Sequence, residues 1–491
     1  MMYSASLVAI MPWFLVSGRV LHELDYQPAV ITVESHPARK VFGSLSNARG
    51  TPWCDGNPTF WLVGHQGTDE TPWCYNGTAT RGRHNKDEYV RYSDSDWNQP
   101  RIVALDSTDI MNERDGPAMI DRHACKSMDV NNDEIDDIIC TVGANKYVLL
   151  DECDTPCPDS HSVSSLNRGE GVGYTELYLG TVNNGLRKVE SHGLQKFPTM
   201  RSRLVEQVRG ADGSQLVFIA SRGARRRDNH TNVHRMFRNF APSTTSTASS
   251  SFFEVVHGPW QRYTRASCLI VADINGDGLD DILICGERSK TLLFMQHSNS
   301  TWTKIPTPSA KVAHWRNARV ADMTGDGIPD LLVVGWGASP KSTDSSSYLR
   351  LYEGRREFPH FDFFSPPLYQ KDFEFATPDL EVLDVDHNGI PDVYVVQSDE
   401  VTAGEYCALQ FDNRKWWDHD NHPPSEWTPP IDSTRDSLLV GTSTETMFRE
   451  VHMSHEEPGC GWLVERFGND QTVILAQGTH NRPGHNLILQ W

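Results

Sequence analysis

Asp273-Ile274-Asn275-Gly276-Asp277-Gly278-Leu279-Asp280-Asp281 lies between two short apolar runs, Cys268-Leu269-Ile270-Val271-Ala272 and Ile282-Leu283-Ile284-Cys285-Gly286. Both flanks contain β-branched residues and read as buried strands. The loop between them carries oxygen-bearing side chains at its first, third, fifth and ninth positions. A hard divalent cation takes roughly six to eight oxygen ligands at about 2.3–2.6 Å, and calcium accepts irregular cages. Asp273, Asn275, Asp277 and Asp281 can supply side-chain oxygens, and Leu279 a backbone carbonyl. Gly276 and Gly278 permit the tight turns that such a cage needs.

The device recurs in the same register. Asp322, Thr324, Asp326, Ile328 and Asp330 occupy the five ligand positions before Leu331-Leu332-Val333-Val334. Asp384, Asp386, Asn388, Ile390 and Asp392 do so before Val393-Tyr394-Val395-Val396. Asp129, Asn131, Asp133, Ile135 and Asp137 do so before Ile138-Ile139-Cys140, with Glu134 where the other loops carry glycine. A single Asp-Gly loop is a common hairpin turn. Four in one register, each between apolar runs, point to up to four calcium sites, because so many converging carboxylates repel one another without a cation.

The pattern D-x-[DN]-x-D-G-x-x-D followed by an apolar strand resembles the FG-GAP, or VCBS, repeat of integrin α-subunit heads. The resemblance implies a β-propeller in which each repeat is part of one blade and the loop binds calcium. It implies no particular ligand.

Three further segments have the same layout without the full set of acids. They are Leu204–Gly213 leading into Leu216–Ala220, Leu463–Asp470 leading into Val473–Ala476, and Asp55–Gly64 with Thr59 at the ninth position. Units are therefore centred near residues 55, 133, 210, 277, 326, 388 and 469, the three incomplete ones expected to lack calcium. Between the loops lie outer-strand candidates. Thr291–Met295 is expected to pair with Trp302–Ile305, Tyr348–Tyr352 with Phe358–Phe364, and Glu176–Leu179 with Leu186–Val189 across an Asn183-Asn184-Gly185 turn. The expected fold is all-β, a seven-bladed propeller of four-stranded antiparallel blades. The last unit has only three strands of its own. Ala29-Val30-Ile31-Thr32-Val33 has no unit and is expected to complete it, closing the ring and removing an open edge.

Residues 1–18 contain an apolar run too short to span a bilayer, which needs roughly 20 residues. Val16-Ser17-Gly18 offers small residues for cleavage, so the segment reads as a secretory signal, the alternative being a buried first strand. Residues 19–491 then form a single propeller domain. Ten cysteines and the sequons at Asn76, Asn229 and Asn299 suit a secreted, extracellular glycoprotein. A formal charge of −20 argues against nucleic acid and anionic membranes as partners.

Cys153 and Cys157 could close a small loop, and Cys54 and Cys74 lie in two similar Thr-Pro-Trp-Cys segments. Cys407 and Cys460 have no local partner. Cys125 with Cys140, and Cys268 with Cys285, face each other across their hairpins, but the two pairs differ by one rung. Rungs alternate between shorter and longer separation, so at most one pair is expected to be bridged and the other to be buried thiols.

Residues 241–251 and 339–347 are polar and read as exposed loops. Arg225-Arg226-Arg227 reads as surface or as a processing site for a basic-residue protease. Trp416-Trp417-Asp418-His419-Asp420-Asn421-His422 reads as a loop whose tryptophans cap a blade, or as a sugar-stacking or metal-binding loop. No G-x-S-x-G, H-E-x-x-H, P-loop or C-x-x-C motif is present. The expected role is a non-catalytic adhesion module binding an extracellular protein or glycan. The alternatives are a polysaccharide- or sugar-active enzyme with its site at the channel mouth, and an assembly role with this chain bound to a membrane partner.

Overall fold

The computed structural model describes residues 29–34, 40–44, 59–63, 73–75, 89–91, 111–112, 116–117, 120–144, 175–180, 186–189, 191–194, 202–221, 234–240, 252–260, 266–286, 290–307, 314–336, 347–357, 360–373, 376–398, 436–442, 447–453, 461–466, 472–477 and 485–491. Residues 1–18, the sequons at Asn76 and Asn229, and segments 225–227, 241–251 and 416–424 lie outside them. So do Cys54, Cys153, Cys157, Cys407 and Cys460, and with them the pairings considered for Cys54 with Cys74 and Cys153 with Cys157.

The described chain is all-β. Apart from the short pair Met111–Asn112 and Gly116–Pro117, its strands form four-stranded antiparallel sheets, in most of which consecutive strands pair in chain order. Ala266–Ala272, Asp281–Gly286, Leu292–Gln296 and Trp302–Ile305 are one such sheet. Another departs from chain order. Gly461–Arg466, Thr472–Gln477 and His485–Gln490 are joined at the outer edge by Ala29–Glu34, in register from Ala29 opposite Gln490 to Glu34 opposite His485.

The apolar runs after the acidic loops are continuous because both faces of each sheet are covered, and alternate residues serve opposite sides. In Asp281–Gly286, Ile282 and Ile284 pack with Phe218 and Trp260 of the preceding sheet. Leu283 and Cys285 pack with Trp315 and Val333 of the following one. In Asp330–Trp336, Leu331 and Val333 face back, while Leu332 and Val334 face forward onto Val393 and Val395. Tyr394 and Val396 then face Val464, Val473 and Leu489. Truncating one of these fully buried side chains to alanine costs about 2–5 kcal/mol.

First strands lie beside one another from sheet to sheet. The series runs Lys40–Ser44, Ile120–Met128, Ser202–Arg209, Ala266–Ala272, His314–Ala321, Ala376–Leu383, Gly461–Arg466. Charged pairs tie several of these junctions. Lys126 Nζ meets Glu206 at 2.6 Å, and Arg319 meets Glu381 at 3.0 Å and Asp379 at 3.6 Å. Asp379 and Glu381 also accept the backbone N–H groups of Val464 and Arg466 at 3.0 and 3.4 Å.

Three expectations are corrected. Ser347–Tyr352 pairs with Tyr369–Phe373, not with residues 358–364. The earlier aromatics are used for packing instead: Phe361 and Phe363 are buried, and Phe363 stacks edge-on against Trp315 and Tyr352. Ser347 itself is a buried strand residue rather than part of an exposed loop. Both hairpin cysteine pairs are bridged, Cys125 to Cys140 with Cα atoms 4.1 Å apart and Cys268 to Cys285 at 4.9 Å. Both ladders are irregular close to the bridge, with register shifts between Arg122 and Ala124 and between Ala266 and Cys268, so a strict alternation of rungs does not hold there.

Candidate metal centres

Each acidic loop joins the first strand of its sheet to the second. Its second residue is a buried apolar anchor: Val130, Ile274, Met323 or Val385. Its fourth and sixth residues have left-handed backbone. These are Asn132 and Glu134, Gly276 and Gly278, Gly325 and Gly327, and His387 and Gly389. Glu134 has φ 68° without glycine's freedom. That conformation costs a side-chain-bearing residue about 1–2 kcal/mol, against which glycine's larger unfolded-state entropy must be set. Glu134→Gly is therefore expected to stabilise the protein by about 0.5–1 kcal/mol. A urea midpoint equal to or below wild type would contradict this.

The carboxylates are held by the loop's own backbone. Asp273 accepts the N–H groups of Asp277 and Gly278 at 2.9 and 2.7 Å. Asn275 Oδ1 accepts from Asp277 N at 3.1 Å, and Asp277 Oδ1 from Leu279 N at 2.9 Å. The same bonds recur around Asp129, Asn131 and Asp133, and around Asp384, Asp386 and Asn388. Backbone donors thus offset part of the repulsion among the acids, and the loop has a defined shape before any ion is considered.

The ninth aspartate is the keystone. Asp137, Asp281, Asp330 and Asp392 are all 0% exposed. One oxygen accepts the N–H of the second loop residue, at 2.9 Å for Val130, 3.0 Å for Ile274, 2.8 Å for Met323 and 2.7 Å for Val385. The other accepts an N–H from the end of the third strand, at 2.7–2.8 Å from Gly180, Gln296, Gly354 and Gly441. Burial, countered by these donors and reinforced by neighbouring acids, pushes Asp137, Asp281 and Asp392 up to about 7. Burial also raises Asp330.

Sequence reasoning missed the third-strand partners. In three sheets the partner is glycine, and an added Cβ would strike the loop. It would come within 2.5 Å of the Asp136 carbonyl at Gly180, 2.0 Å of the Pro329 carbonyl at Gly354, and 2.5 Å of the Pro391 carbonyl at Gly441. The signal was present as a glycine just after each apolar third strand. Gly354→Ala is expected to destabilise the protein by about 1–3 kcal/mol, because backbone must move. An unchanged unfolding midpoint would show that the loop does not dock there.

Oxygens sharing an ion at about 2.3–2.6 Å lie within about 5 Å of each other. Asp384, Asp386 and Asp392 meet this test, with carboxylate oxygens all within 4.8 Å. Among the described residues they are the one such group of three acids. The corresponding positions are Asp129, Asn131 and Asp137, then Asp273, Asn275 and Asp281, where an amide replaces the middle acid. The fifth-position acids Asp133, Asp277 and Asp326 do not join the first and ninth within that distance. At 322–330 the middle position is Thr324, whose N–H donates to Asp330 at 2.9 Å and whose side chain also bonds it. The seventh residues Ile135, Ile328 and Ile390 lie against the third-strand glycines. Leu279 N–H donates to Asp277. The all-oxygen donor set fits a hard cation such as calcium, with the cage at 384–392 the richest in charge.

No curated protein matches the sequence. Among solved structures, the crystal structure of BBS1N in complex with ARL6DN is similar at 10% identity and TM-score 0.45, over 95% of this chain and 96% of that one. An ancestral GH74 enzyme is similar at 12% identity and TM-score 0.49, over 94% and 50%. The V. cholerae biofilm matrix protein Bap1 is similar at 10% identity and TM-score 0.34, over 66% and 38%. These likenesses are remote. Residues 273–333, which contain the second and third acidic loops, match the model for the FG-GAP-like repeat. Residues 273–333 therefore carry an FG-GAP-like repeat, set in a chain whose described residues form mainly four-stranded antiparallel sheets.

Proposed function

We propose that the chain is an exported, calcium-stabilised β-propeller that binds an extracellular protein or glycan ligand without acting on it chemically. The observation that carries this reading is the buried ninth aspartate. In each of four sheets it ties an acidic loop to the third strand, so a cation in the loop stiffens the whole sheet. On this reading residues 1–18 are a removable leader and residues 19–491 one ring of seven blades, closed by Ala29–Glu34. The bridges Cys125–Cys140 and Cys268–Cys285 suit an oxidising compartment. Among the described residues no helix is long and apolar enough to cross a membrane. Asn299 is exposed in the turn before Trp302–Ile305, its Oδ1 accepting from Thr301 N and Oγ1 at 3.1 and 2.6 Å, and is a candidate glycan acceptor.

A glycan array combined with a product-release assay, run on the secreted chain in calcium, tests the role. Binding without turnover supports it, and product formation at catalytic amounts of protein replaces it with a sugar-active enzyme. Ring closure has its own test. Deleting residues 29–33 bares the edge strand His485–Gln490 and is expected to lower the melting temperature by roughly 5 °C or more, with aggregation. A wild-type melting temperature would contradict closure by this strand.

A further inference from the structure

The sheet that begins with Ser202–Arg209 has no acidic cage, yet it grips the cages on both sides. Its first hairpin ends in the rung Arg209 opposite Gln215, closed by Gly210 N donating to Ser214 O at 2.8 Å. Toward the preceding sheet, Gln215 Nε2 donates to the carbonyl of Asp129 at 3.0 Å. Asn239 Nδ2, which also touches Gln215 Oε1, donates to the carbonyl of Val130 at 2.7 Å. Toward the following sheet, Arg209 N donates to Asp280 Oδ2 at 2.6 Å and Nη2 to the carbonyl of Gly278 at 3.0 Å. Gln296, whose own N–H holds Asp281, completes that junction. Its Nε2 donates to the Arg209 carbonyl at 3.0 Å, and its Oε1 accepts from Ala211 N at 2.7 Å. Two residues facing each other across one rung therefore hold one acidic loop each.

The geometry points to a shared strut: the Arg209–Gln215 rung positions the loops at 129–137 and 273–281, so that a divalent cation in one raises the affinity of the other. This rests on the cation reading of the loops given above. A cation fixes the loop backbone and the Asp280 carboxylate on which the rung is anchored. A rung fixed from one side then leaves less freedom to be lost when the other loop orders. Coupling of this kind amounts to about 5–150-fold in affinity. The loop at 384–392 lies two sheets beyond the one at 273–281 and serves as an internal control.

Hydrogen–deuterium exchange read by mass spectrometry, on the full chain titrated with free calcium, resolves the loops separately. Asp277→Asn removes one negative charge from the second loop, which lowers its attraction for a cation, while the amide oxygen can still accept from Leu279 N. It is expected to move the calcium midpoint for protection of 129–137 upward by about 5-fold or more, leaving 384–392 at its wild-type midpoint. Gln215→Ala lies outside both cages. It is expected to raise the 129–137 midpoint and to cancel any further effect of Asp277→Asn there, with metal-free exchange of 216–221 unchanged. A 129–137 midpoint that ignores Asp277→Asn would overturn the coupling while leaving the cation reading intact. Faster metal-free exchange of 216–221 in Gln215→Ala would reduce that residue to a structural role and overturn its part. Calcium protection at none of the four loops would overturn both readings together.

Discussion

Asp281→Ala is expected to lower stability in calcium by about 2–5 kcal/mol and to abolish the calcium response of its loop. The side chain is 0% exposed, and its oxygens accept from Ile274 N at 3.0 Å and Gln296 N at 2.8 Å. Truncation leaves both donors buried without an acceptor, at about 1–3 kcal/mol each. The damage is not local. Gln296 also bonds the carbonyls of Arg209 and Asp280 at 3.0 and 2.8 Å, so loss of Asp281 loosens the junction with the preceding sheet. Asp281→Asn keeps the volume and one acceptor, and is expected to retain the fold with about half the loss. Urea unfolding at saturating calcium compares the two. An Asp281→Ala midpoint at the wild-type value would mean that the ninth aspartate holds nothing.

The second large effect is a reversal of pH dependence by calcium. Burial pushes Asp137, Asp281 and Asp392 up to about 7, above the ordinary carboxylate range. A raised carboxyl favours the fold in its neutral form. In chelator, the contribution of these groups should therefore be full below about pH 4, where the carboxyl is protonated in both states, and be lost as pH rises from there to about 7. Each could contribute up to about 4 kcal/mol to that loss, an upper bound that relaxation of the loop reduces. A bound cation stabilises the ionised form and cancels the penalty, so the calcium-induced rise in melting temperature should grow steeply from pH 5 to pH 8. Melting curves with and without chelator across that range measure it. A calcium effect independent of pH would show that the buried aspartates and the ion do not share a site.

The acidic loops and the second strands were legible because each is specified locally. Oxygen donors at fixed spacing mark the loop, and a continuous apolar run marks a strand buried on both faces. Ala29–Val33 was legible by elimination, as an apolar run without a sheet of its own, and it pairs with His485–Gln490. What could not be read depended on contacts distant in sequence. Gly180, Gly354 and Gly441 look like ordinary loop glycines until the carbonyls of Asp136, Pro329 and Pro391 arrive beside them. Residues 358–364 resembled a strand because they are aromatic, yet Phe361 and Phe363 are used to cover Trp315 and Tyr352. The two hairpin cysteine pairs lie one rung apart, so only one was expected to be bridged; both are, in ladders that each carry a register shift close to the bridge. The junction of Arg319 with Asp379 and Glu381 spans about 60 residues of chain, and no spacing rule finds such a pair.

The most direct measurement is elemental analysis of the purified chain joined to its melting temperature in calcium and in chelator, at pH 7.5. The account predicts bound calcium approaching about four ions per chain, falling to none in chelator, with melting lower by roughly 5 °C or more. A chain that carries no calcium and melts at one temperature in both buffers would contradict it.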